Sequence, residues 1–183
     1  MKNSSKSYGF TLIESLVAIA ILSIAVAGPL VTASRALVAT EIAQDQFTAS
    51  YLAQEGIEYV RALRDKEFLL TRNTNTAWAN FKSGIEGICR SPASCTLDPT
   101  LPMGYGAGNA VQSYVGNAPL YLNGSNFVYT QQQTQPNIAT KFTRIIQVSP
   151  ASANDERATS TVTWSFHGNS YNVTSVDNLT SWE

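Results

Sequence analysis

The chain is short of the residues that most catalytic chemistry requires. Its 183 residues include one histidine and two cysteines, too few to assemble a histidine-based metal triad. No His-Glu-x-x-His pattern occurs. Gly104-Tyr105-Gly106-Ala107-Gly108 has the glycines of a phosphate-binding loop without its lysine or its strand-to-helix setting. A Ser–His–acid triad would have to use His167, which falls in a predicted hairpin turn and reads as a solvated surface residue. The expectation is a chain that is not an enzyme and that takes no metal and no cofactor.

Charge is scarce too. Asp, Glu, Lys and Arg make up 14% of the chain, against about 25% in ordinary soluble domains. The formal net charge of −1 lacks the basic footprint of a dedicated nucleic-acid binder. Nucleic acid stays a partner that a local basic patch would allow and that the composition does not support.

What the chain does have is one long apolar run. Residues 10–31 make 22 positions in which Glu14 is the only ionisable side chain, with Lys6 before them and Arg35 after. That exceeds the ~18 apolar residues that mark a membrane-spanning helix. An ordinary secretory signal has a shorter apolar region, roughly 7–15 residues, cut after it. Lys2 and Lys6 favour a cytoplasmic amino terminus with the remainder outside the membrane. Glu14 is the anomaly, because a carboxylate at the centre of a span costs about 2.5–3.5 kcal/mol, less toward its end. It is either a helix-end group reaching the interface or a residue with a partner.

The local order of residues is more specific. A short polar leader ends in Gly9, Phe10 opens the run, and Gly9-Phe10-Thr11-Leu12-Ile13-Glu14 follows. This motif closely resembles that of the type IV pilins and type II secretion pseudopilins. The resemblance implies that residues 1–9 are removed by a prepilin peptidase between Gly9 and Phe10, and that the Phe10 amine is N-methylated. It implies partners as well: other pilin subunits, the peptidase/methyltransferase, an inner-membrane assembly platform, and the cytoplasmic membrane before assembly. In this reading Glu14 pairs with the Phe10 amine of a neighbouring subunit. Removal of the leader would leave 10 basic and 13 acidic residues, a net −3. Looser matches, at Leu52-Ala53-Gln54-Glu55-Gly56-Ile57-Glu58, at 61–65 and at the ending Leu179-Thr180-Ser181-Trp182, resemble minor, pilus-modification-type pilins. The localisation implied is a single-pass inner-membrane protein that becomes part of an extracellular filament or a periplasmic pseudopilus. A membrane-anchored extracytoplasmic binding or enzymatic domain with an uncleaved anchor is the alternative.

Gly28-Pro29 interrupts the apolar run and predicts a helix break or kink, since proline lacks the backbone donor and crowds the preceding turn. Residues 10–33 are the membrane or filament-core helix, and 34–70 continue it as an amphipathic segment rich in helix formers. Ala49, Ala53, Gly56, Val60 and Leu63 share one face, small enough at its middle for another layer to come close. Glu41, Asp45, Glu58, Arg61 and Asp65 supply the wetter sides. A helix over 10–70 would be roughly 90 Å long at 1.5 Å per residue.

Residues 71–183 are read as a globular head. Asn73-Thr74-Asn75-Thr76 ends the long helix, and Trp78, Phe81, Ile85 and Ile88 predict a short second one. In an extracytoplasmic domain the lone close pair Cys89 and Cys95 predicts a disulfide, since a metal site would need further ligands. Residues 103–125 read as a long loop or weak hairpin, and 127–129 as a short strand. Residues 142–148 and 158–166 are strands, and His167-Gly168-Asn169 turns into 171–174. Asp155-Glu156-Arg157 reads as a solvated cluster in a loop, and Trp182 as a staple for the terminus. Three Asn-x-Ser/Thr patterns, at Asn123, Asn172 and Asn178, arise readily by chance in so Asn/Thr-rich a chain. The fold class expected is α+β: a long amino-terminal helix, membrane-spanning in its first half, packed on an antiparallel sheet of three or four strands.

Overall fold

The computed structural model describes residues 9–116 and 118–181. Its first element is a 59-residue helix, α1, over Leu12–Leu70. The chain divides into two compact units between Gln44 and Asp45, so α1 contributes to both.

In the first unit the described residues up to Glu41 are all exposed. Its few hydroxyls turn back onto the preceding helical turn. Ser23 Oγ donates to the Ile19 carbonyl at 2.8 Å, Thr32 Oγ1 to Gly28 at 3.0 Å and Thr40 Oγ1 to Ala36 at 2.8 Å. Bonds of this kind satisfy a hydroxyl within its own helix, as an apolar surrounding requires. α1 is helical through Gly28 and Pro29, so the interruption expected there is not a melted turn. Proline removes a single N–H from the ladder, and the bonds on either side hold the segment helical.

The second unit is α+β, and α1 begins to be buried in it at Asp45. A second helix, α2, spans Thr74–Cys89. Asn73 does more than end α1, because its side chain accepts from the Thr76 N–H at 3.1 Å and caps α2. Among the described residues eight strands follow: β1 (Cys95–Leu97), β2 (Val111–Ser113), β3 (Tyr121–Asn123), β4 (Tyr129–Thr130), β5 (Asn137–Ala139), β6 (Thr143–Pro150), β7 (Asp155–Phe166) and β8 (Asn169–Thr180). They form a five-stranded sheet in the order β2-β1-β6-β7-β8 and a three-stranded one in the order β4-β3-β5, with every strand pair antiparallel.

The main sheet is therefore larger than the expected three or four strands, and a second sheet forms whose β3 lies within 103–125, the region read as a long loop or weak hairpin. The strand expected over 127–129 starts only at Tyr129, because Phe127 has a φ of 58°. The β7–β8 hairpin turns through His167 and Gly168, both left-handed at φ 48° and 81°, the backbone that two-residue hairpins prefer. Period-two alternation places Val162, Trp164 and Phe166 on the buried face and Thr161, Thr163 and Ser165 on the other. On that polar face the Thr161 and Thr174 hydroxyls meet at 3.1 Å across the strands.

The buried face packs on α1. Ala49, Ala53, Gly56, Val60 and Leu63 are all buried, in keeping with their shared helical face. One cluster joins Ile57, Val60 and Leu63 to Phe81 and Ile85 of α2 and to Ile146, Val148 and Leu179 of the sheet. A second joins Ala49, Leu52 and Ala53 to Leu120, Phe142, Val162 and Trp164. Trp164 stacks on Tyr171 with ring centroids 5.6 Å apart. The expected staple at Trp182 lies outside the described residues.

Candidate functional site

The motif residues sit at the beginning of α1. Thr11 precedes the helix and caps it: its Oγ1 accepts from the Glu14 N–H at 3.4 Å, and its carbonyl accepts from the Ser15 N–H at 3.2 Å. Thr11 and Glu14 stand three apart, the Thr-x-x-Glu spacing of a helix start. Sequence reasoning passed over that spacing, although it is plainly readable. Glu14 lies in the first helical turn, where the unpaired N–H groups favour a negative charge. It is exposed, as are Gly9 and Phe10, and no atom lies within 4 Å of where a Gly9 Cβ would stand. Gly9 and Phe10 are thus covered by no other described residue of the chain. Lys2 and Lys6 of the leader lie outside the described residues.

Behind this start comes an apolar surface that nothing in the described chain covers. The large hydrophobic residues from Phe10 to Val31 are 51–81% exposed. An 18-residue window of α1 reaches a mean hydropathy of 2.4 with no part of it buried, so the helix is long and apolar enough to cross a membrane. A soluble monomer exposing this much contiguous apolar surface is physically unfavourable. The segment requires a lipid or protein environment.

In the second unit Cys89 and Cys95 are joined as a disulfide, and both are fully buried. The bond closes the loop 90–94 between α2 and β1, and Arg90 N–H adds a helix-end bond to the Glu86 carbonyl at 3.3 Å.

Several buried charges escaped the sequence reading, among them Arg144, Asp45 and Glu156. Arg144 on β6 is completely buried; its Nη1 donates to the Leu52 carbonyl at 3.0 Å and to the Glu55 carboxylate, and its Nη2 to the Leu97 carbonyl at 2.9 Å. Burial pulls its pKa down, and Glu55 works in the opposite direction. Asp45, read as a wet-side residue, is only 6% exposed and takes an ion pair from Lys141 at 2.7 Å. Glu156 is neither solvated nor in a loop. It is a fully buried member of β7, 3.1 Å from Lys82 Nζ and beside Glu86, and its pKa is raised chiefly by burial. Period two contained the signal for two of these. Arg144 is in register with Ile146 and Val148, and Glu156 with Ala158, Ser160 and Val162.

A family model for the prokaryotic N-terminal methylation motif matches residues 4–28. No curated protein and no solved structure matches the chain. The matched stretch runs from within the polar leader to Gly28, taking in the Gly9–Phe10 junction, the capped helix start and most of the uncovered apolar surface. With an α+β body behind it, this chain carries the amino-terminal signature of the type IV pilin and pseudopilin family.

Proposed function

We propose that the protein is a structural, non-catalytic subunit of a type IV pilus or a related pseudopilus, and a minor one. A prepilin peptidase cuts after Gly9, the new Phe10 amine is methylated, and the helix leaves the bilayer to pack among those of other subunits. The observation that carries this reading is the coincidence of the methylation motif with an apolar helix surface left uncovered. Such a surface suits two successive environments, first lipid and then a bundle of like helices.

Glu14 supplies register. An ammonium and a carboxylate are each costly in an apolar core and much less so together. A Phe10 amine on one subunit and Glu14 on the next satisfy each other at a single axial offset. Glu14→Ala and Glu14→Leu should leave a membrane protein of normal abundance that enters filaments poorly; normal incorporation of either would remove the register role. Gly9→Val should leave an uncut precursor, seen by intact mass. Counting this chain against the other subunits of purified filaments by mass spectrometry tests the minor role. An amino terminus at Met1 in wild-type filaments or membranes would favour an uncleaved anchor instead.

A further inference from the structure

β8 lies at one edge of the main sheet and, among the described strands, pairs with β7 alone. It runs for 12 residues, whereas the other edge strands of the two sheets, β2, β4 and β5, have two or three each. Its register with β7 is continuous from Phe166↔Asn169 to Asp155↔Thr180, with no bulge. Long edges are ordinarily blunted by lysine, proline or a bulge, because their free backbone groups template another strand. β8 has none of these devices. Residues 169–180 include no proline, lysine or arginine, and the one charge, on Asp177, is held by Arg61 of α1 at 2.7 Å.

The hairpin turn decides which backbone groups are free. A two-residue turn with His167 and Gly168 both at positive φ makes Phe166 and Asn169 a hydrogen-bonded pair, and bonded pairs then recur at every second position. Asn169, Tyr171, Val173, Ser175, Asp177 and Leu179 therefore turn their N–H and C=O groups toward β7. Ser170, Asn172, Thr174, Val176, Asn178 and Thr180 turn theirs to the open edge, and all six residues are exposed. The Thr180 carbonyl accepts from Arg64 Nη1 at 3.5 Å. Among the described residues no loop or turn backbone bonds the other five.

Donors and acceptors alternating in a row at strand spacing fit an extended backbone that offers the reciprocal row. A second β8 would supply one, but that pairing is two-fold symmetric and reverses one copy of α1 against the other. Helices that leave one bilayer for one filament keep a common direction. We infer, on the reading of this chain as a filament subunit, that the β8 edge receives an extended segment of a different subunit, which joins the five strands of the main sheet as a sixth. Covering 170–178 takes about nine residues of that segment. Its side chains meet Asn172, Thr174 and Val176 on one face and Tyr171, Val173 and Ser175 on the other. These uncharged neighbours suit threonine, valine and other strand formers.

The test compares the full-length protein in micelles with the same protein in purified filaments by hydrogen exchange. In micelles the amides of 169–180 should divide into a slow set facing β7 and a fast set facing outward; in filaments both sets should be slow. Thr174→Pro removes an outward N–H that β7 does not use, a change that edge strands tolerate. It should melt within a few degrees of wild type and enter filaments about tenfold less well. Val176→Lys, at a position 51% exposed, keeps the backbone and sets a charge beside the edge. It should enter poorly too, and it carries the test if the proline variant fails to fold. Outward amides that exchange as fast in filaments as in micelles would overturn the inference and leave the subunit reading standing. So would normal entry of Thr174→Pro, or of Val176→Lys should the proline variant not fold. Absence of the wild-type chain from filaments would remove the subunit reading itself, and the inference with it.

Discussion

Glu156 is a carboxylate taken fully out of water by a strand that needs an inward side chain at that position. The groups facing it come from α2: Lys82 at 3.1 Å, and Glu86, which is itself bonded to Arg90 at 2.6 Å. Burial and the second carboxylate raise its pKa, and Lys82 offsets only part of that. Folding therefore favours protonated Glu156. Well below its ordinary value of 4.5, both folded and unfolded chains hold the proton. As pH rises beyond that, the unfolded chain releases it first, and this residue's contribution to stability falls until the raised folded pKa is passed. Glu156→Gln keeps the shape and cannot ionise. Thermal melts across about pH 4 to 8 should show variant and wild type alike at the acid end, with the variant equal or more stable at the neutral end. A variant that loses ground as pH rises would mean that the Lys82 pair outweighs burial. Arg144 is the opposite case, since three acceptors on α1, Glu55 and β1 converge on it. Arg144→Ala should cost about 2–5 kcal/mol, because it leaves the Leu52 and Leu97 carbonyls without this donor while Glu55, 38% exposed, returns to water, read as a lower midpoint in denaturant melts.

At the level of elements, the join between α1 and the main sheet rests on the small residues of the helix face. A Cβ on Gly56 would overlap the Ser160 side chain and stand 3.3 Å from Ile146 Cδ1. The overlap is with the Ser160 hydroxyl, which rotation about χ1 can move, but Ser160 Cβ at 3.1 Å leaves the helix and β7 little room to stay where they are. Gly56→Ala should destabilise the unit by about 1–3 kcal/mol through overpacking, despite the gain in helix propensity that alanine brings. The disulfide works over a much shorter span. Cys89 and Cys95 are six apart, and closing so small a loop is worth about 2 kcal/mol by chain entropy. Melts with and without reductant should differ by about that amount. How legible these elements were follows from their length. α1, β6 and the β7–β8 hairpin repeat their period often enough to be seen, as in the inward row Val162, Trp164, Phe166. β1, β2, β4 and β5 have two or three residues each, too few for a period to emerge. Asp45 and Glu156 were misread because charge was taken to mean solvent, and Arg144 was passed over, although the strand register of Arg144 and Glu156 points inward. Of the candidate site, residues 9–14 could be read directly because the motif is contiguous.

For the molecule as a whole, the distribution of burial along α1 makes a further claim. Its apolar first part contributes no buried residue, and burial starts at Asp45 and continues through Leu52, Ile57, Val60 and Leu63. Hydrophobicity and core formation are thus separated along one helix: the most apolar residues stabilise nothing within the described chain, and a mixed sequence carries the packing. A chain starting at residue 34 loses the entire uncovered surface but keeps Asp45 with its Lys141 partner, both hydrophobic clusters, both sheets and the disulfide. Its 34–44 stretch lies before the first buried residue of α1. The shortened chain should therefore be soluble without detergent, elute as a monomer, and melt cooperatively within a few degrees of the full chain in micelles. It should also be unable to join a filament, since Phe10 and Glu14 are gone. Aggregation or a broad, non-cooperative melt would mean that residues before 34 contribute to the fold of the second unit. In that case the helix could not be exchanged between lipid and a bundle while the body stays intact, and the two-environment role proposed for it would fail.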